Sequence, residues 1–180
     1  MALSVALLRG INIAGHNKVA MADLRRLCED IGLRDPRSLL NSGNLLFESG
    51  KRSTAQLERL LETEARKRLA LETEFFVRTA EEWEAVIADN PFTQQARRDP
   101  GHLVVMILKD AVGPKEVASL QKAIAGPELV RGMGRHVYVT YPAGIGRSRL
   151  TSAVIDAKLG TRGTGRNWNT VLKIGTIVRS

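Results

Sequence analysis

The sequence has a single cysteine, few aromatic residues and almost no acid in its last fifty positions. One thiol, Cys28, excludes a disulfide framework and suits a reducing compartment. It shares a helical stripe with Leu24, Leu27 and Ile31, so it reads as core. No apolar run approaches the roughly 20 residues that cross a bilayer. "MALSVALLRG" is too short for a membrane anchor, has no basic region before it, and reads as a first strand. The expectation is therefore a cytoplasmic protein with no membrane attachment. His16, His102 and His136 are scattered, with no Cys or carboxylate at ligand spacing, so nothing calls for a metal. No motif calls for a cofactor.

Length and composition set the frame. The chain has 180 residues, 43 % apolar and 26 % charged, which is enough for one domain or two small halves with a real core. The formal charge is +8. Residues 1–130 hold 18 Lys+Arg and 18 Asp+Glu, whereas residues 131–180 hold 9 Lys+Arg and only Asp156, so the whole excess lies at one end. A surface meeting phosphates, polyanions or acidic lipid would look like this. An Arg-rich composition explains Arg over Lys, but not the missing acids.

Hydrophobic periodicity gives the element order. "LSVALL" is a buried strand and "MADLRRLCED" a helix stopping at Gly32. Two short strands follow around Asn41-Ser42-Gly43-Asn44, residues that tolerate a tight turn. "STAQLERLLETEARKRLA" is an amphipathic helix facing Leu57, Leu60, Leu61 and Leu69 inward, with Glu62–Arg66 and Glu64–Arg68 pairs outside. "ETEFFVRT" closes a strand-helix-strand-strand-helix-strand order, which is ferredoxin-like. After a short helix and a polar link the order restarts: strand "HLVVMILK", helix "GPKEVASLQKAIAG", strands "ELVRG" and "RHVYVTY", and helix "SRLTSAVIDAKLG". "TRGTGRN" stands where the closing strand belongs, and "WNTVLKIGTIVR" reads as helix. The expected fold is α+β, two ferredoxin-like (βαββαβ) units in tandem, the second with a degraded last strand and an added C-terminal helix. The expected divisions are 1–78, a helix and link at 79–100, and 101–180, with packing as one domain left open.

Several motifs fail on inspection. "GTRGTGRN" has the two glycines of a P-loop but lacks its Lys and Ser/Thr. "GRSRL" lacks the second glycine of a nucleophile elbow. "RGMGRHVY" shares Arg, both glycines and the closing aromatic with the third-strand signature of RNA-recognition domains, yet has Met133 and Arg135 where stacking rings belong. What remains is a set of polar loops. "PAGIGRSRL" sets Gly144, Gly146, Arg147 and Ser148 at the expected start of a helix, where free N–H groups favour an anion; Ser148 can equally be a plain cap. "RGINIAGHNK" offers Arg9, Asn12 and Lys18. In "TRGTGRNWNT" Arg162 and Arg166 lie on expected mobile backbone as anion ligands, Asn167 reads as an N-cap and Trp168 as a packing anchor.

Taken together, "ALLRGINIAGHNKVAMADLRRLCEDIGL", "NSGNLLFES" and "RNWNTVLKI" resemble one bacterial family, the domain of unknown function numbered 1697. Asn41 stands where members usually have Gln. The resemblance implies a cytoplasmic α+β protein of paired ferredoxin-like units and brings no activity or catalytic residue. Arg9, Asn12, Ser42, Asn44, Arg166, Asn167 and Asn169 match its motif positions and join the candidates. The functional expectation is a protein that binds a phosphate-bearing anion, nucleic acid first. The alternatives are an enzyme or sensor for a small phosphorylated metabolite or nucleotide, and an interaction module whose open sheet edges form a homodimer. A concave pocket favours the small ligand and a flat basic face the nucleic acid. No acid–base pair is identifiable in the sequence.

Overall fold

The computed structural model describes residues 3–180, a mixed α+β fold with two antiparallel sheets and seven α-helices. The chain divides into two compact units, one running to Ala85 and including Ile174–Ser180, the other Val86–Lys173.

The first unit contains β1 (Leu3–Leu8), α1 (Met21–Asp30), β2 (Arg34–Leu39), β3 (Asn44–Glu48), α2 (Thr54–Leu69) and β4 (Phe75–Thr79). Its sheet runs β2-β3-β1-β4 with every pair antiparallel. Leu24, Leu27 and Cys28 of α1 and Leu57, Leu61 and Ala65 of α2 bury against Ala6, Leu8, Leu45, Phe47, Phe75 and Val77 of the sheet. Ser53 starts α2 through a reciprocal pair: its hydroxyl accepts from Gln56 N–H and its own N–H donates to the Gln56 side chain. Glu64 and Arg68 pair at 2.6 Å as their spacing requires. The expected Glu62–Arg66 pair is different: Glu62 accepts from the N–H of Phe75, and Arg66 lies 4.0 Å from Glu72. Glu58, on the same helix, is buried and faces Arg78 at 3.7 Å.

Next come α3 (Ala80–Ala88), α4 (Thr93–Arg98) and a 3-10 turn at Pro100–His102, so the stretch read as a polar link is partly helical. The second unit then builds β5 (Leu103–Val112), α5 (Pro114–Ala123), β6 (Leu129–Thr140), α6 (Ser152–Leu159) and β7 (Gly163–Asn167), and α7 (Trp168–Arg179) ends the chain. Its sheet is antiparallel, ordered β6-β5-β7. "ELVRG" and "RHVYVTY" form one continuous β segment, but the chain reverses within it: Leu129 N–H donates to Thr140 Oγ1 at 3.3 Å, and a Cβ on Gly132 (φ 125°) would lie 3.0 Å from the His136 carbonyl. One expectation is corrected here.

The last strand is not degraded. β7 pairs with β5 from Val104↔Asn167 to Leu108↔Gly163. Its glycines are there for space. A Cβ on Gly163 would lie 2.8 Å from Leu108 Cδ2 and 3.0 Å from the Ile107 carbonyl, and one on Gly165 would lie 2.9 Å from Met106 Sδ. Glycine in this strand marks close approach by the neighbouring strand. Val104, Met106, Leu108, Val137 and Val139 pack with Val117 and Leu120 of α5 and Ile155 and Leu159 of α6.

Candidate functional site

The candidate residues fall in separate places. In the segment opening β7, Arg162 is exposed but Arg166 is not. The mobile backbone expected at Arg166 is a strand, and its guanidinium donates to Thr164 Oγ1 and the Gly165 carbonyl, each at 2.8 Å. Burial pulls its pKa down to about 10. Asn167 behaves as its sequence position suggests: Oδ1 accepts from Thr170 N–H at 3.0 Å and starts α7, while Trp168 is 5 % exposed. Asn169 is exposed.

In the first unit, the loop after β1 is held by Asn12. Its Nδ2 donates to the carbonyls of Val19 (3.0 Å) and Asn41 (2.9 Å), and its Oδ1 accepts from Val19 N–H. Asn12 therefore ties the loop to the β2–β3 turn. In that turn Asn44 is buried, donating to the Leu39 carbonyl and to Ser42 Oγ. Arg9 is half-buried, and its main chain bonds to Glu74 and Thr73. The loop and turn leave a shallow cleft of about 620 Å³ edged by Asn12, Lys18, Asp23 and Asn41. Its one lysine is matched by an acid.

The loop between β6 and α6 differs. The helix does not start at Ser148, since Thr151 is the N-cap and accepts from Val154 N–H. Ser148 is a staple instead. Its hydroxyl donates to Glu128 Oε1 and accepts from Leu150 N–H at 3.0 Å. No acid lies within this loop in sequence, yet the fold brings a carboxylate from 20 residues away against it. Glu128 is 6 % exposed. It is held through its own backbone as well, since its carbonyl accepts from Gln121 Nε2. Tyr141 lies close, donating to the Leu150 carbonyl; burial and then the Glu128 charge push its phenol up to about 12.

These residues border a concavity of about 440 Å³ between the α5–β6 turn and the β6–α6 loop. Ile124, Pro127, Leu150 and Val154 give it apolar walls, Glu128 and Ser148 supply convergent polar groups, and Gly144, Arg147 and Arg149 complete its lining. Gly144 has φ 91°, which turns the loop where a side chain would be strained. Among the described residues the N–H groups of Gly146 and Arg147 have no partner, and both residues are exposed. The unit around this pocket, Val86–Lys173, holds 13 Lys+Arg and 6 Asp+Glu, a net +7. Of the candidates, Gly144, Arg147 and Ser148 line one pocket and Gly146 lies within its loop, whereas Asn12 and Lys18 edge the other cleft. Sequence reasoning missed Glu128 because nothing local marks it.

The strand with partial likeness to an RNA-binding signature has no stacking face. Tyr138 is 1 % exposed and donates to the Val86 carbonyl, with His136 edge-on to it at 5.6 Å. Among the described residues no helix is long and apolar enough to cross a membrane.

No curated protein matches this chain. The solved structure of a conserved bacterial protein from Streptococcus pneumoniae is similar to it, with 25 % identity, a TM-score of 0.78 and coverage of 98 % of each chain. The family of proteins of unknown function DUF1697 matches residues 1–138, so the closing "RNWNTV" lies beyond the match. Covering well over half the sequence, that match makes this chain a member of the DUF1697 family.

Proposed function

We propose that the protein binds a small phosphate-bearing ligand in the pocket of its second unit, as an enzyme or sensor for that ligand. One observation carries this reading: a glycine-containing loop with unpaired N–H groups and two arginines edges a mostly apolar cavity of about 440 Å³. That volume falls within the roughly 300–1,000 Å³ of small-molecule sites, which are apolar with a few fixed polar groups. Successive free N–H groups and arginine forks are the donors that hold phosphate. The cleft in the first unit is less suited, because Asn12 spends its amide on backbone and Asp23 offsets Lys18.

Nucleic acid is the less favoured partner. The unit's +7 charge would attract it, but the strand with partial likeness to an RNA-binding signature lacks the stacking rings and keeps its tyrosine buried. The test is calorimetric titration with ribose 5-phosphate and nucleoside monophosphates, and with a mixed oligonucleotide, on the wild type and on Arg147→Ala/Arg149→Ala. Charge-assisted hydrogen bonds contribute about 1.5–3 kcal/mol each, so the double variant should bind at least roughly tenfold more weakly. Saturable binding only of the oligonucleotide, or identical binding by both proteins, would overturn the proposal.

A further inference from the structure

The pocket's most unusual member is a carboxylate. Glu128 is 6 % exposed, and among the described residues no basic nitrogen lies within ion-pair distance of it. Ser148 donates to Oε1. Oε2 takes no hydrogen bond from a described residue and packs over Gly126, where any Cβ would overlap it. Both Glu128 and Gly126 line the pocket. Oε2 keeps accessible surface and lone pairs open to a donor, and an acceptor on a side chain otherwise shielded from water gains most when something donates to it.

Resting on the proposed phosphate site, we propose that Glu128 recognises a nucleobase edge bearing two adjacent N–H donors, as guanine does, so that the ligand is a guanine-type nucleotide. Three steps of chemistry lead there. An ammonium group would have to shed its hydration among Ile124, Pro127, Leu150 and Val154, which a single carboxylate compensates poorly, whereas a neutral N–H edge loses far less. A flat heterocycle also suits apolar walls. Adenine and cytosine each set one donor beside a ring acceptor, whose lone pair would oppose the carboxylate, whereas guanine sets N1–H beside its 2-amino group. The phosphate would then meet Arg147, Arg149 and the Gly146–Arg147 N–H groups, and Ser148 would keep the carboxylate oriented.

The experiment is calorimetric binding of guanosine, inosine and adenosine monophosphates and of ribose 5-phosphate to the full chain, to Glu128→Gln and to Ser148→Ala. A base that donates two hydrogen bonds to a charged acceptor should give guanosine monophosphate an advantage of roughly tenfold or more over adenosine monophosphate, with inosine monophosphate between them. Glu128→Gln should erase that order while leaving ribose 5-phosphate bound as before, and Ser148→Ala, which removes the bond that orients the carboxylate, should narrow it without reversing it. Equal affinity for all four compounds, or an order unchanged by Glu128→Gln, overturns the base assignment and leaves the phosphate site standing. No binding by any of the four removes both. If Glu128→Gln does not fold, the order measured on the wild type and Ser148→Ala decides alone.

Discussion

Replacing Gly163 by alanine tests why β7 is written in glycine and threonine rather than in branched residues. Neither Gly163 nor Gly165 has a positive φ, so alanine strains neither backbone. In an open position the change would stabilise by about 0.4–1 kcal/mol through the unfolded chain. Space decides otherwise at Gly163. The new methyl would lie 2.8 Å from Leu108 Cδ2 and 3.0 Å from the Ile107 carbonyl, which is fixed in the central strand. Overpacking of this kind costs about 1–3 kcal/mol, and against the rigid carbonyl the upper part of that range applies, leaving a net loss of up to about 2.6 kcal/mol once the entropic gain is subtracted. At Gly165 the nearest obstacle is Met106 Sδ at 2.9 Å, the movable part of a flexible side chain, with Val104 Cγ1 at 3.0 Å. The loss there should be smaller. Urea denaturation of both variants gives the comparison directly. A Gly163→Ala protein as stable as wild type, or less harmed than Gly165→Ala, would refute the account of this strand.

Further outcomes follow from the same geometry. Asn12→Ala removes three hydrogen bonds from a residue at φ 56° and should cost about 1–3 kcal/mol in urea denaturation; Asn12→Gly should keep the backbone but not the bonds and fall short of wild type. Trp168→Ala empties a site that is 95 % buried and should cost about 3–5 kcal/mol, measured by thermal or urea unfolding. Burial raises the Cys28 thiol from 9.0 to about 12, so the unfolded chain ionises first. Stability from this group is complete below pH 9 and falls as pH rises toward 12, by about 1.4 kcal/mol per unit. The gap between wild type and Cys28→Ala in unfolding free energy, measured by urea denaturation, should therefore shift by about 2 kcal/mol from pH 8 to pH 10.5; an unchanged gap would contradict it.

Much of the first unit was legible because its signals are local. The apolar run of β1, the stripe of α1 and the amphipathic face of α2 each point one way, and the observed element order follows them. The second unit misled where glycine has two meanings. Gly132 and Gly134 do sit where the chain reverses, whereas Gly163 and Gly165, read as a loop, make room for β5. Helix starts were ambiguous for a similar reason: Ser148 and Thr151 are both competent caps, and only the fold shows that Ser148 is occupied by Glu128. Candidate ligands were overcounted because polarity alone does not say where a side chain's hydrogen bonds go. Asn12, Asn44, Arg166 and Asn167 all make theirs within the chain.

The most direct measurement is a titration of isotope-labelled protein with guanosine monophosphate, followed by amide chemical shifts. Saturable shifts concentrated at Ala123–Glu128 and Gly144–Leu150, and absent from Arg147→Ala/Arg149→Ala, are the predicted result. Shifts confined to the Asn12–Asp23 cleft, or none at saturating ligand, would contradict the assignment of the site.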